Sequence, residues 1–329
     1  MARPKKISDS GISNHNDGLM SLFLEWVWFS ILFLPYVLQA LYLKLVPPKP
    51  KSLHGKVVLV TGAGRGLGRE LALGFARLGC KVACVDIDKD TALDTAAEIV
   101  KDGKIAKAYF TNVAKLDEIR KLKMAVTKDL GPVDILVNNA SLLYARRLED
   151  IPEEAIRAIV DVNLLSYVWM VREFVGSMKE RNAGHIVTIS SMSAHCPVAP
   201  ISMYVACKWA ITGFMESIRM EMWNEGHENI NFTIIFPTYM DNIKGYLSDR
   251  QKIHVLSVES VAAQVINAVR RNIVSTTIPE PMYYTLILLK LFPIKISDWF
   301  ISIVNGEAAV ATQKELDILE PVIRDTIKS

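Results

Sequence analysis

The sequence predicts an α/β fold, a doubly wound parallel sheet, with an apolar helix or hairpin ahead of it that anchors the chain in a membrane. Three observations carry this. Apolar, β-rich runs alternate with helical periods from Lys56 onward, the rhythm of βαβ units. The first run opens into a glycine-rich turn and then a helical stretch. Before them, Leu19 to Val46 is apolar apart from Glu25 and Lys44.

The anchor comes first in the chain. Leu19 to Val46 is long enough to span a bilayer as a helix, and Trp26, Trp28, Tyr36 and Tyr42 suit the interfacial zones. Pro35 permits either a kinked spanning helix or a shallow hairpin. The stretch is longer than a secretory h-region, and no small-residue cleavage site follows it, so it is read as retained. Lys44, Lys49, Lys51 and Lys56 then place the following domain in the cytosol, against Arg3, Lys5 and Lys6 on the other side.

Composition agrees with membrane contact. Half of the 329 residues are hydrophobic and the mean hydropathy is +0.22. A net charge of +3, without a basic block interleaved with aromatics, argues against nucleic acid as a partner. Cys80, Cys84, Cys196 and Cys207 follow neither a zinc spacing nor a disulfide framework; they read as reduced thiols, and no metal site is expected.

The nucleotide half follows. Lys56–Thr61 is a strand, Thr61-Gly-Ala-Gly-Arg-Gly-Leu-Gly68 a tight turn, and Glu70–Arg77 a helix. Glycines let backbone N–H groups approach a pyrophosphate at a helix start. The spacing places Gly62, Gly66 and Gly68 in that turn, with Arg65 and Leu67 between them. The next strand, Lys81–Asp86, ends in a carboxylate placed to bind ribose hydroxyls, which favours NAD; Arg65 keeps NADP as the lesser alternative. Further strands are expected at 106–110, 133–138, 185–190 and 231–236. Ligands of such Rossmann-like sheets bind beyond the strands' carboxyl ends, where Asn138-Asn139-Ala140, Ser190-Ser191 and Pro237-Thr238 fall.

The chemical half rests on Tyr204 and Lys208. Four apart on a helix, they share a face, and a nearby ammonium is expected to lower the phenol pKa. Ser191 lies upstream, and Asn163 sits in Asp-Val-Asn. Taken alone, Ser191 is a loop hydroxyl, Asn163 a helix cap or buried polar partner and Tyr204 a half-buried aromatic. His195 reads as a loop residue and Asp88 as a solvated one.

Together, TGAGRGLG, Asn-Asn-Ala, Asn163, Ser191 and Tyr204-x-x-x-Lys208 resemble the short-chain dehydrogenase/reductase family over roughly Leu53 to Pro279. The resemblance implies that Tyr204 is the general acid/base and that Lys208 lowers its pKa and binds the nicotinamide ribose. It implies that Ser191 hydrogen-bonds the reacting oxygen and that Asn163 holds a water linked to Lys208. It also implies that Asn112 contacts the adenine, where the family usually has aspartate, and that Asn139 and Pro237 border the cofactor. Two further departures are Ser141, where a glycine usually follows Asn-Asn-Ala, and Pro237–Asn242, which lacks the usual Pro-Gly of the substrate lid.

The anchor, the Leu53-x-Gly-Lys entry and Gly184-His-Ile-Val-Thr-Ile-Ser-Ser look most like the membrane-bound subgroup with retinol dehydrogenases and 17β-hydroxysteroid dehydrogenases. This implies a lipid-soluble alcohol or carbonyl substrate, at the endoplasmic reticulum membrane or a lipid droplet. Met282 to Val304 is apolar and aromatic, suited to a membrane surface, to covering the core or to a homodimer interface. The expected organisation is a polar tail (1–18), anchor (19–46), Pro-rich linker (47–55), catalytic domain (56–280), and an apolar segment with a polar tail (281–329). The alternatives are a non-catalytic membrane or lipid-droplet interaction protein and a soluble polyol or sugar reductase.

Overall fold

A computed structural model describes residues 15–241 and 255–305, together with Ile323 and Thr326. The chain divides into two compact units, Met1–Lys49 and Pro50–Ser329.

The first unit is helix α1, His15–Leu45. It continues through Pro35 as one helix rather than turning back as a hairpin. Within it, Leu22–Leu43 is 22 residues with a mean hydropathy of 1.6, and none of it is buried by protein. By length and composition this stretch can cross a bilayer, since 22 residues at about 1.5 Å each match a hydrocarbon core of about 30 Å. The exposed faces of Phe23, Trp26, Phe29 and Phe33 are what a lipid environment accepts and water does not.

The second unit is a seven-stranded, wholly parallel sheet in the order β3-β2-β1-β4-β5-β6-β7. The strands are β1 Val57–Thr61, β2 Lys81–Asp86, β3 Ile105–Phe110, β4 Ile135–Asn138, β5 Gly184–Ile189, β6 Ile230–Pro237 and β7 Ser275–Ile278. The crossovers carry α2 Gly66–Arg77, α3 Lys89–Lys101, α4 Leu116–Asp129, α5 Glu153–Val160, α6 Ser166–Arg181, α7 Ser202–Glu225 and α8 Val258–Arg270. Six strands stand where the sequence predicts them. The seventh escapes because Ser-Thr-Thr-Ile is short and mostly polar, giving little apolar signal.

The strand period of two sorts side chains into two cores. Val58, Val60 and Val137 pack with Leu71, Phe75, Val265 and Val269 of α2 and α8. Leu59, Leu136 and Ile186 pack with Ile119, Tyr167, Phe174 and Met215 of α4, α6 and α7. Each fully buried aliphatic or aromatic side chain contributes about 1.5–3 kcal/mol. All four cysteines are free and buried, as expected of reduced core thiols.

Residues read as linker are in fact bound to this unit. Leu53 is buried in the first core, and Lys51 donates to Asn272 Oδ1 at 2.6 Å and lies 3.0 Å from His185 Nδ1. His185 is buried, with Nε2 2.8 Å from Thr233 Oγ1.

After β7 come α9 Met282–Leu289 and α10 Ile294–Asn305; Leu288, Ile294 and Trp299 on these helices and Leu291 between them are exposed. The predicted polar tail lies mostly outside the described residues. Ile323 and Thr326, however, are buried rather than exposed. Ile323 joins a third apolar cluster with Leu142, Tyr144, Ile159 and Cys207.

Candidate active site

The sheet order reverses between β1 and β4, and the candidate residues gather at the carboxyl ends of β1, β2, β4, β5 and β6. The turn after β1 is held by close approach. Gly62 has φ +67, and a Cβ on Gly68 would lie 1.8 Å from the Gly62 carbonyl oxygen, so only glycine closes this loop. Asn139 clamps it from the end of β4, with Nδ2 donating to Thr61 O at 2.9 Å.

Helix α2 begins at this turn without a side-chain cap, since Arg65 at its N-cap makes none, and its first turn holds no acid. Helix α3, by contrast, is capped by Asp88, which accepts from Asp90 N and Thr91 N; the residue read as merely solvated is a cap. The free N–H groups and dipole of α2 fit a pyrophosphate. Asp86 ends β2 with one carboxylate oxygen accepting from Gly64 N at 2.8 Å and the other from Asp88 N at 3.1 Å. Arg65 is exposed. Asn112 follows β3 and is buried, its Oδ1 accepting from Ala114 N. Leu67 is buried in the first core and Pro237 ends β6. The uncapped helix start with its glycine cradle fits the pyrophosphate of a dinucleotide.

Tyr204 and Lys208 lie on the first turns of α7, and Ser191 follows β5. Burial pushes the Tyr204 phenol up to about 12; hydrogen bonds from the Ser191 and Ser141 hydroxyls pull it down to the extent that they donate. Helix spacing alone predicts the opposite direction. The reason for the correction is where Lys208 goes. Its side chain is buried, and its ammonium donates to the Ile189 carbonyl at 2.9 Å and the Tyr167 hydroxyl at 3.4 Å. It lies 5.3 Å from the Tyr204 ring centroid and 5.2 Å from that of Tyr167, over faces rather than at the phenol oxygen. Burial also draws Lys208 down to about 7, so its charge is itself titratable near neutrality.

Asn163 sits in a single π-helical turn, Asp161–Leu165, between α5 and α6. Both ends of its side-chain amide are held. Oδ1 accepts from Leu142 N at 2.7 Å and Ser141 Oγ at 2.9 Å, while Nδ2 donates to Leu142 O at 2.7 Å. The side chain thus clamps the segment after β4.

Three side chains of this region escaped the sequence reading. Ser141 stands there only as a departure from a glycine, yet it joins Asn163 to Tyr204. Tyr167, four after Asn163 on the next helix, holds Lys208; that spacing was the available signal. His195, read as a loop residue, packs against Phe236 with ring centroids 4.3 Å apart and against Tyr283 at 6.0 Å. Burial keeps its imidazole below the ordinary range, favouring the neutral ring. The lid that follows Asp241 lies outside the described residues from Asn242 onward.

Comparison with known proteins agrees with this geometry. The family model described as short chain dehydrogenase matches residues 56–252. The chain belongs to the short-chain dehydrogenase family. As a member of it, the protein is an NAD(P)-dependent oxidoreductase. Similar family members include mouse epidermal retinol dehydrogenase 2, 32% identical over 264 residues, covering 79% of this chain and 85% of that one. Human 17-beta-hydroxysteroid dehydrogenase 13 is 30% identical over 274 residues, covering 83% and 91%. Among solved structures, a metagenomic short-chain oxidoreductase in complex with NADP superposes with a TM-score of 0.60 at 26% identity, covering 69% and 96%. A short-chain dehydrogenase/reductase from Burkholderia phymatum in complex with NAD shares the fold, with a TM-score of 0.66 at 21% identity, covering 73% and 94%.

Proposed function

We propose that the protein is a membrane-associated oxidoreductase that moves a hydride between NAD(H) and a lipid alcohol or carbonyl of retinoid, steroid or fatty type. The observation that carries this is the meeting of Ser191 with the Tyr204 phenol at the carboxyl ends of the strands, beside an uncapped helix start.

When bound, the nicotinamide dinucleotide supplies the hydride donor or acceptor. The chain's own groups do the rest. Tyr204 gives a proton to the substrate oxygen in reduction and takes it back in oxidation. Ser191 donates a hydrogen bond to the same oxygen and stabilises the charge that develops there. Lys208, held under both tyrosine rings, sets the electrostatics of the phenol and offers its ammonium to the nicotinamide ribose. Asn163, through Leu142 and Ser141, fixes the segment after β4 against the site.

Three features support the finer reading. Asp86 presents a carboxylate where a 2′-phosphate would be repelled, which favours NAD over NADP. The unburied apolar helix α1 supports membrane residence, at the endoplasmic reticulum or a lipid droplet. The exposed Leu291, Ile294 and Trp299 of the C-terminal segment suit a lipid surface, and the relatives named for retinol and steroids point to the same substrate class.

The test is turnover of NAD(H) and NADP(H) in membranes across retinoids, steroids and fatty alcohols. Tyr204→Phe should abolish turnover with cofactor affinity nearly unchanged. Retained turnover in that variant removes Tyr204 from its role. Cofactor binding without turnover of any lipid favours the non-catalytic interaction protein.

A further inference from the structure

Ser191 stands at the head of a three-residue 3-10 turn, Met192–Ala194, and that turn is held from another element. The indole Nε1–H of Trp209 donates to the Ser193 carbonyl at 2.7 Å. A turn this short leaves its last carbonyls without internal partners, and its own hydrogen bonds do little to stabilise it. Ser193 is buried, so its carbonyl takes a donor from the protein. Trp209 supplies it from α7, where it directly follows Lys208.

The grip reaches Ser191 by two routes. The peptide unit whose carbonyl Trp209 holds carries the Ala194 N–H at its other end, and this donates to the Ser191 carbonyl at 2.9 Å. The preceding peptide unit carries the Ser193 N–H, which donates to Ser191 Oγ at 3.1 Å. Bonds in such a chain polarise and reinforce one another. A serine hydroxyl has one hydrogen and two lone pairs. With a lone pair engaged by Ser193, the oxygen is fixed in place and its hydrogen is left to donate. The indole face is held too, since the Lys290 ammonium lies over it at 4.9 Å from the centroid.

We infer that Trp209 is a positioning residue: its N–H locks the turn, and through the turn it holds the Ser191 oxygen in one place with the hydrogen free for the reacting oxygen. The inference deepens the proposed reaction and rests on the reading of Ser191 as a donor in it. Trp209 keeps 47% of its surface exposed, so packing is the lesser part of what it does and the inward-facing N–H the greater. Lys208 and Trp209, neighbours on one helix, then serve the two sides of the site, the first beneath the Tyr204 ring and the second behind Ser191.

The experiment uses the full chain in phosphatidylcholine vesicles and removes the N–H in two ways. Trp209→Phe keeps an aromatic face for Lys290, and replacement of Trp209 by 3-benzothienylalanine keeps the whole bicyclic shape with sulfur in place of the N–H. If the Phe variant fails to fold, the isosteric one serves. Hydrogen exchange of the peptide spanning 191–196 should speed up about three- to tenfold in both, as expected for the loss of one hydrogen bond. For oxidation of retinol by NAD, or of a 17β-hydroxysteroid where retinol is not turned over, kcat should fall by a similar factor while both KM values stay within about twofold. In a Ser191→Ala background the same replacement should cost no further activity, since the hydroxyl it positions is gone. Unchanged exchange overturns the inference, and so does an equal loss of kcat with and without the Ser191 hydroxyl. Because exchange needs no turnover, a wild type that oxidises neither lipid counts against the proposed reaction alone, and exchange still decides whether Trp209 locks the turn.

Discussion

Lys208 lies over the Tyr204 ring at 5.3 Å from its centroid, yet hands its hydrogen bonds to Ile189 O and Tyr167 Oη. The pair is therefore coupled through the face of the aromatic ring, in a buried setting that works against both charges. Burial moves the phenol up to about 12 and the ammonium down to about 7. Between those values the neutral forms are the stable ones for the chain's own groups.

Tyr167 is the residue that keeps Lys208 usable. Its hydroxyl accepts from the ammonium at 3.4 Å, which favours the charged form. Tyr167→Phe removes that acceptor and should lower the lysine further. Activity that requires the ammonium should then fall off at a pH lower by up to about one unit. The pH profile of kcat/KM checks this, and an unmoved profile leaves Tyr167 as core packing only.

Asp86 should decide the cofactor. Asp86→Ala removes the charge that would repel a 2′-phosphate and leaves Arg65 exposed in the turn after β1. The ratio of kcat/KM for NAD over NADP should fall at least about tenfold, consistent with about 1.4 kcal/mol of discrimination. A ratio that stays constant assigns the preference elsewhere. The variant also loses the acceptor of Gly64 N, so a small loss with both cofactors is expected.

His185 should make the fold acid-sensitive. Burial, with Lys51 beside it, lowers its pKa from 6.5 to about 3. Between these values the unfolded chain binds a proton that the folded chain refuses, so stability rises with pH and is lost as pH falls through the window. From pH 7 to pH 5 the loss should be about 2 kcal/mol. Denaturant unfolding at the two pH values measures it. His185→Gln should flatten the slope while lowering stability at pH 7, because the bond to Thr233 is disturbed.

Much of this was readable before the structure, for definable reasons. The strands β1, β2, β4, β5 and β6 are buried on both faces, so each is an apolar run that periodicity detects. The glycines and Asp86 follow from phosphate and ribose chemistry, which demands particular residues at particular turns. Side-chain direction is another matter. That Tyr204 and Lys208 share a helix face says nothing of the Ile189 carbonyl, which arrives from a strand and claims the ammonium. Ser141 and Tyr167 were hidden because their partners are distant in sequence. The role of Asn163 turned on a π-helical turn, which no apolar pattern announces.

The burial of Ile323 beside Leu142 and Cys207 has a mechanical side. Leu142 is the residue gripped by Asn163, and Cys207 precedes Lys208, so a side chain from the far end of the sequence props both walls of the reaction centre. Trimming the chain behind α10 would pull out that prop, and the damage would surface as altered turnover and ionisation of Tyr204 rather than as a lost tail.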